Sequence, residues 1–150
     1  MENNIPVFKD KRGSFIPYNL KGTEWSQMNI STNISCYTFR GMHYQTNPPQ
    51  TKLVKVIQGK VLDILYNLDT KEVEIYELGL DDQLLIQSNY AHGFLTLEPN
   101  TIFTYLVSGD YNPKSEHSIV WNTIPLIKSI IEYITQYSEL IISDKDKIGK

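Results

Sequence analysis

The sequence predicts an all-β domain that ends in a short helical segment. Between residues 27 and 121, short runs of β-branched and aromatic residues alternate with polar turns, a spacing typical of a sandwich or barrel. From Pro125 onward the apolar residues recur instead at helical spacing. At 150 residues the chain is long enough to bury the core of a single domain, residues 1–150.

The predicted elements follow in chain order. Residues 5–20 are predicted to be extended around the turn Lys11-Arg12-Gly13, because Pro17 is incompatible with a helix interior. A helix is predicted to begin at Pro125, a residue that the first turn of a helix accepts. The β-strands between them are predicted at Gln27–Ser31, Ser35–Phe39, Thr51–Ile57, Lys60–Tyr66, Val73–Leu80, Gln83–Gln87, Ala91–Leu97, Thr101–Ser108 and Ser118–Trp121.

Gln58-Gly59 predicts a tight turn that joins the strands on either side into a hairpin. Counting outward from this turn places Val54 opposite Asp63, with Lys52 diagonally across on the same face. That face is mostly apolar, so we expect it to point inward and to carry the lysine and the aspartate with it. The two charges are either a structural ion pair or groups used for chemistry, because unpaired buried charge is costly.

The overall charge and the single cysteine limit the possible partners and location. A net charge of -3 gives no electrostatic reason to expect nucleic acid as a partner. Cys36 has no second cysteine to pair with, which suits a reducing compartment such as the cytoplasm. No apolar run approaches the roughly 20 residues that cross a membrane as a helix, so no membrane partner is expected.

Four motifs stand in order along the chain: RGMHYQ from residue 40, PPQTKLVKVIQGKVLD from residue 48, AHGFLTLE from residue 91 and TIFTYLVSGDYNP from residue 101. Together they resemble the dTDP-4-dehydrorhamnose 3,5-epimerase family, and the resemblance extends from about Asp10 to Asp146. It implies a cupin-type β-barrel (jelly roll) that works as a homodimer without cofactor or metal. It also implies a nucleotide-linked sugar substrate, with dTDP as the first choice of nucleotide, in rhamnose-like deoxysugar biosynthesis.

The resemblance assigns the chemistry to five residues. Removing a proton next to the C4 ketone of the sugar gives an enolate, and this needs a base, a partner for the oxyanion and an acid on the opposite ring face. By resemblance, His43 is the base, Tyr105 is the acid and Lys52 stabilises the enolate oxygen. Asp146 would orient His43, and Asp63 would hold the charge of Lys52.

The resemblance also implies a set of substrate-binding residues. Arg40 and His92 match positions that line the sugar and phosphate, and arginine suits bidentate recognition of phosphate. Pro17 stands where the family commonly has a glutamate near the substrate. Six further residues match positions that hold the nucleotide or its diphosphate, some of them reaching across the dimer: Arg12, Phe15, Gln27, Asn29, Tyr111 and Glu116.

Two local features decide whether this site can form. In a regular strand Arg40 and His43 would face opposite sides, so a shared site requires a bulge, for which Gly41 is the natural place. Asp146 lies four residues from the last residue given, where chains tend to fray. We expect this tail to dock nevertheless, because residues 140–142 offer an apolar anchor.

Four functions remain open from the sequence. The first is epimerisation of a 4-keto-6-deoxy sugar at both C3 and C5, and the second is epimerisation at one of these positions. The third is a binding module for sugar nucleotides that does not turn over. The fourth, a metal-dependent cupin, is disfavoured because the usual pair of close histidines reads His43-Tyr44-Gln45 and the other histidines lie far along the chain.

Overall fold

The computed structural model describes residues 7–19 and 24–149, with Tyr18 and Asn19 described by their backbone alone. Residues 5, 6 and 20 of the predicted extended entry lie outside this range. Within the described part, no helix is both long and apolar enough to cross a membrane. Eleven strands occur there: β1 (Phe8–Asp10), β2 (Gly13–Asn19), β3 (Gln27–Asn33), β4 (Phe39–Gln45), β5 (Lys52–Gln58), β6 (Val61–Asn67), β7 (Val73–Leu78), β8 (Gln83–Ile86), β9 (Tyr90–Thr96), β10 (Thr101–Val107) and β11 (Glu116–Ser118).

The strands form two antiparallel sheets that face each other, as the predicted jelly roll requires. One sheet has six strands in the order β1-β2-β3-β10-β5-β8, and the other has five in the order β11-β4-β9-β6-β7. A first core fills the space between the sheets, where Val54 and Phe103 of one sheet meet Val61 and Phe94 of the other. The prediction of an all-β fold is therefore confirmed.

The C-terminal segment forms a second layer on the five-stranded sheet. Helix α1 (Pro125–Thr135) begins at the predicted proline and buries Ile127 and Ile131. These side chains pack on Phe39 and Ile64, which point away from the first core. A short helix α2 (Asp144–Ile148), which the sequence analysis did not predict, follows near the end of the described chain.

The predicted hairpin at Gln58-Gly59 is wrong in its pairing. Strand β5 pairs with β10 and β8, whereas β6 pairs with β9 and β7, so the chain crosses between sheets at this turn. The inward faces were nevertheless predicted correctly, since Val54 and Val61 both lie in the first core. Alternation specifies which side chains face inward but not which strand is the hydrogen-bonded partner. The same pattern therefore fits two strands in facing sheets as well as two strands of one hairpin.

Two predicted strand boundaries are also wrong. The segment predicted as a strand at Ser35–Phe39 is a connection, with Tyr37 at φ +61°, and the strand begins only at Phe39. The predicted strand Ser118–Trp121 ends at Ser118, and Trp121–Thr123 forms a short 3-10 helix. Both segments carry aromatic and β-branched residues that are common in strands, and these residue types alone do not distinguish a strand from a connection.

Candidate active site

A cavity of about 530 Å³ opens between the two sheets. The cavity lies next to the first core along the same strands. On the inward face of β10, Phe103 in the core is followed by Tyr105 in the cavity, and on that of β5, Val54 in the core is preceded by Lys52 in the cavity. Inward positions therefore change from apolar to polar along the same strands. Ten of the predicted site residues line the cavity: Arg12, Phe15, Gln27, Asn29, Arg40, His43, Lys52, Tyr105, Tyr111 and Glu116.

The predicted irregularity at Gly41 is confirmed. Arg40 pairs with Phe94 and His43 pairs with His92, so two residues of β4 oppose one residue of β9. This bulge brings Arg40 and His43 to the same cavity although they are three positions apart. Gly41 has φ +129°, and a Cβ there would lie 2.5 Å from the Cα of Gly93, so only glycine fits.

The expected docking of the tail is confirmed. Nε2 of His43 lies 2.6 Å from Oδ1 of Asp146, and the backbone N–H of Gly41 donates to Oδ2 at 3.1 Å. Asp146 is 1% exposed, and its own N–H donates to the Oγ of Ser143, which caps α2. Burial opposes ionisation of this carboxyl, but its bonds from His43 and Gly41 and the charge of His43 outweigh burial and lower its pKa.

A second contact ties the tail to the cavity wall through Glu116. Lys145 Nζ lies 2.9 Å from Oε1 of Glu116, and the hydroxyl of Tyr111 donates to Oε2 at 2.6 Å. Burial raises the pKa of Glu116, but the two hydrogen bonds lower it by more, so the carboxylate stays charged. Both oxygens of this predicted nucleotide-binding residue are thus engaged by the protein itself.

Lys52 and Asp63 face the same interior but do not form the expected direct pair. They belong to opposite sheets, and Oδ1 of Asp63 instead lies 2.6 Å from Nε2 of His92. Oδ2 of Asp63 is buried without a hydrogen-bond partner among the described residues. Burial lowers the pKa of Lys52 to about 8, while the charges of Asp63 and Glu116 act in the opposite direction. Asp63 therefore acts on Lys52 through its charge and not through contact.

His92 lies behind the cavity wall and not on it. It is 4% exposed, and its ring packs 6.3 Å from the ring of Tyr105 and 6.4 Å from that of Phe103. Burial lowers the pKa of His92, and the charge and hydrogen bond of Asp63 oppose this only in part. The residue was predicted to contact sugar or phosphate, and in this structure it supports Tyr105 from behind.

Tyr105 keeps its proton in this environment. Burial raises the pKa of its phenol, against the charges of Arg40 and Arg12. Lys52 Nζ lies 5.9 Å from the centre of the Tyr105 ring. The wall contributed by the six-stranded sheet thus offers a neutral phenol and a cation side by side.

Sequence comparison identifies the family to which these residues belong. The family described as dTDP-4-dehydrorhamnose 3,5-epimerase matches residues 1–150. The chain belongs to this family. A curated relative of that name from Methanothermobacter thermautotrophicus is 31% identical, over 96% of this chain and 84% of the relative. Another from Pseudomonas aeruginosa is 32% identical, over 96% of this chain and 86% of the relative.

Solved structures of the family have the same fold. The dTDP-4-dehydrorhamnose 3,5-epimerase of Bacillus anthracis, solved with TDP and PPi bound, superposes with a TM-score of 0.70 at 34% identity, covering 96% of this chain and 89% of that chain. A Legionella pneumophila epimerase in complex with dTDP-4-keto-L-rhamnose gives 0.68 at 25% identity, covering 97% and 84%. The predicted jelly roll and the assignment to an epimerase family of the isomerase class are thereby confirmed.

The epimerase cavity also contains residues that the sequence analysis missed. Gln50 stands two positions before Lys52 and Val107 two positions after Tyr105, so strict alternation would have found both. Tyr44 also lines the cavity and stacks on His117 with ring centres 5.1 Å apart. Phe8 also lines the cavity, and no local pattern pointed to it. Pro17 lies in the lining too, at the position where the resemblance placed a glutamate near the substrate.

The charges lining this cavity are mainly cationic. Arg12 forms an ion pair with Asp10, in which Nη2 donates to Oδ2 at 2.6 Å. The hydrogen bonds from Arg12 are the main reason why the pKa of Asp10 falls to about 2. Arg40 and Lys52 lie in the same cavity without a carboxylate within 4 Å in the described part of the chain. In residues 7–19 and 24–149 no group of three or more His, Cys, Asp or Glu side chains is arranged to hold a metal ion.

Proposed function

We propose that this protein epimerises a dTDP-linked 4-keto-6-deoxy sugar at C3 and C5, in the biosynthesis of a rhamnose-like deoxysugar. The observation that carries the proposal is the hydrogen-bonded pair of His43 and Asp146 in the same cavity as Tyr105 and Lys52. His43 comes from the five-stranded sheet, whereas Tyr105 and Lys52 come from the six-stranded sheet. A sugar ring held between the sheets has a base on one side and an acid on the other.

His43 is suited to take the proton. Its Nε2 faces the Asp146 carboxylate, which accepts a hydrogen bond only, so Nε2 carries the hydrogen and Nδ1 carries the lone pair. Nδ1 then accepts the proton from the carbon next to the ketone, and Asp146 stabilises the imidazolium that results. General-base catalysis of this kind contributes on the order of 10²- to 10⁴-fold.

The opposite wall completes the reaction. The ammonium of Lys52 stabilises the enolate oxygen that forms at C4, and its partial burial strengthens that interaction. The protonated phenol of Tyr105 returns a proton to the carbon from the other ring face, which inverts the centre. The tyrosinate that forms is stabilised by the charges of Arg40 and Arg12, which act on Tyr105 in the free protein.

The cationic end of the cavity fits the diphosphate of the substrate. Arg12 and Arg40 are the guanidinium groups that line it, and arginine matches the geometry of phosphate oxygens. Relatives solved with TDP and PPi, or with dTDP-4-keto-L-rhamnose, support a dTDP-linked sugar. We assign the remaining contacts to the nucleotide and its diphosphate: Phe15, Gln27, Asn29, Tyr111 and Glu116.

Proton exchange tests this function directly. The protein is incubated with dTDP-4-keto-6-deoxyglucose in D2O, and the sugar protons are followed by NMR. We expect deuterium at both C3 and C5, together with the inverted product. Exchange at one position only would establish a single-position epimerase instead. Binding of the nucleotide sugar without exchange would establish a binding module.

We further propose that the active species is a homodimer. The outer face of the six-stranded sheet carries an apolar row in register, Leu85, Leu53, Leu106 and Met28, on the side opposite the cavity. Leu85 is 51% exposed, and α1 packs on the other sheet. An apolar face of this kind suits burial against a second copy of the chain.

The proposed location is the cytoplasm, since one cysteine in 150 residues fits a reducing compartment.

Sedimentation velocity tests the dimer. Leu53→Lys in the centre of the row should convert a dimer to a monomer, because it places charge in a buried contact. Leu126→Lys is the control, since it adds the same charge at an exposed leucine that lies on α1 and outside the row. A native protein that sediments as a monomer at all concentrations would refute the proposal.

A further inference from the structure

Arg40 is held in the cavity wall by strand β3. The side chain is 7% exposed, its Nε donates to Oδ1 of Asn33 at 2.9 Å, and its Nη2 donates to the backbone carbonyl of Thr32 at 3.3 Å. Nε and Nη2 form the side edge of a guanidinium group. The donors of this edge are therefore turned toward the protein, and the end edge formed by Nη1 and Nη2 is the one left for a ligand.

Asn33 is itself fixed by its surroundings. It is 1% exposed, and its Nδ2 donates to the carbonyl of Thr101 at 3.1 Å and to the Oγ of Ser31 at 3.4 Å. Turning the amide over would place its NH2 group against the Arg40 guanidinium and its oxygen against the Thr101 carbonyl. Both arrangements are repulsive, so Oδ1 has to face Arg40.

We propose that Asn33 is a positioning residue that orients Arg40 so that its end edge receives the diphosphate of the substrate. The inference rests on the proposed function, because it takes the ligand of Arg40 to be a diphosphate. Neither the sequence motifs nor the predicted binding residues include Asn33. It acts through Arg40 and does not line the cavity.

The neutrality of Asn33 is part of this role. An amide oxygen orients the guanidinium but leaves its charge available, whereas a carboxylate would neutralise it. Arg12 in the same cavity differs from Arg40, because it donates hydrogen bonds to the carboxylate of Asp10, which offsets its charge. In the described part of the chain, Arg40 has no protein carboxylate at contact distance. Its positive charge is therefore available to a ligand.

Two variants separate orientation from charge. Asn33→Ala removes the acceptor, whereas Asn33→Asp keeps an acceptor for Arg40 and adds negative charge, and it also loses the donor to the Thr101 carbonyl. The first readout is the NMR signal of the Arg40 Nε–H, which should be protected from exchange in the native protein. We expect the protection to be lost in Asn33→Ala and kept in Asn33→Asp.

The second readout is the affinity for inorganic pyrophosphate, measured by calorimetry. Both variants should bind it on the order of tenfold more weakly, the first through lost orientation and the second through lost charge. With the nucleotide sugar, KM should rise by a similar factor while kcat changes less. Thr101→Val is the matched control, because it removes a buried hydroxyl bonded to Glu98 but keeps the carbonyl that holds Asn33. Its pyrophosphate affinity should equal that of the native protein.

The outcomes distinguish this inference from the function on which it rests. Native protection and native pyrophosphate affinity in Asn33→Ala would overturn the role of Asn33. If instead Arg40→Gln binds pyrophosphate as tightly as the native protein, the diphosphate assignment of Arg40 fails. The Nε–H signal of Arg40 in the native protein and in the Asn33 variants still reports whether Asn33 orients Arg40. If Asn33→Ala does not fold, Asn33→Asp decides alone: native pyrophosphate affinity in that variant would overturn the inference.

Discussion

Nε2 of His43 lies 2.6 Å from Oδ1 of Asp146, although the two residues are 103 positions apart. The contact joins the bulged strand β4 to the short helix α2 at the end of the described chain. Ser143 caps α2, and Ile142 is buried with the α1 residues that pack on the five-stranded sheet. The proposed catalytic base in the barrel is thereby hydrogen-bonded to a carboxylate that docks from the C-terminal tail.

The first prediction concerns this pair. His43→Gln should abolish exchange of the sugar protons in D2O, and Asp146→Asn should slow it by roughly 10²- to 10⁴-fold, because the amide no longer selects the basic tautomer or stabilises the imidazolium. Both variants should still bind dTDP, since neither residue is assigned to the nucleotide. Exchange at the native rate in His43→Gln would show that another residue is the base.

Tyr105→Phe should separate proton removal from inversion. His43 remains in place, so the C–H bond can still be broken and deuterium can return from the same face. Without a phenol on the opposite wall, the inverted product should fall by on the order of 10²-fold or more relative to exchange. NMR in D2O measures both in one sample. Equal losses of exchange and inversion would argue against an acid role for Tyr105.

The pH dependence should report on Lys52. Burial lowers its pKa to about 8, and the enolate requires the charged form, so kcat/KM should fall as pH rises through about 8. Tyr105 does not produce this limb, because burial raises the pKa of its phenol. In Lys52→Arg the limb should move to higher pH, at the cost of a lower maximum rate. A native profile that stays flat to pH 10 would contradict this role of Lys52.

Lys52 should also lower the stability of the protein near neutral pH. Its folded-state pKa of about 8 is below the ordinary lysine value of 10.5, so the unfolded chain binds the proton more tightly and stability rises with pH between these values. Lys52→Met should therefore raise the free energy of unfolding at pH 7 by about 1–3 kcal/mol while abolishing activity. Urea unfolding should show this gain shrinking toward pH 10. Lys114→Met, at an exposed turn position outside the cavity, should change stability by only about 0.5 kcal/mol.

Gly41→Ala should disrupt both the fold and the site. A Cβ at this position would lie 2.5 Å from the Cα of Gly93 and 2.8 Å from the carbonyl oxygen of His92, and φ of +129° is unfavourable for alanine. We expect a loss of about 3 kcal/mol or more in unfolding free energy, and displacement of His43 with loss of exchange. Gly79→Ala is the control, because its Cβ would meet nothing nearer than 3.9 Å. Full activity in Gly41→Ala would show that the bulge is dispensable.

Several parts of this site followed from local sequence alone. Period-two alternation placed Val54, Val61 and Lys52 on inward faces, and helical periodicity placed α1 correctly from Pro125. The spacing of Arg40 and His43 predicted the bulge at Gly41 once the family resemblance had placed both residues in one site. These features are local, because side-chain direction and backbone conformation depend on neighbouring residues in the chain.

The partners of the inward-facing groups were decided only by the tertiary structure. Asp63 pairs with His92 and not with Lys52, because β5 and β6 lie in opposite sheets and not in one hairpin. Asn33 holds Arg40 through the contact of β3 with the cavity wall, which no motif indicated. Alternation determines that a charge is buried, but long-range packing of the two sheets and the tail determines which group compensates it.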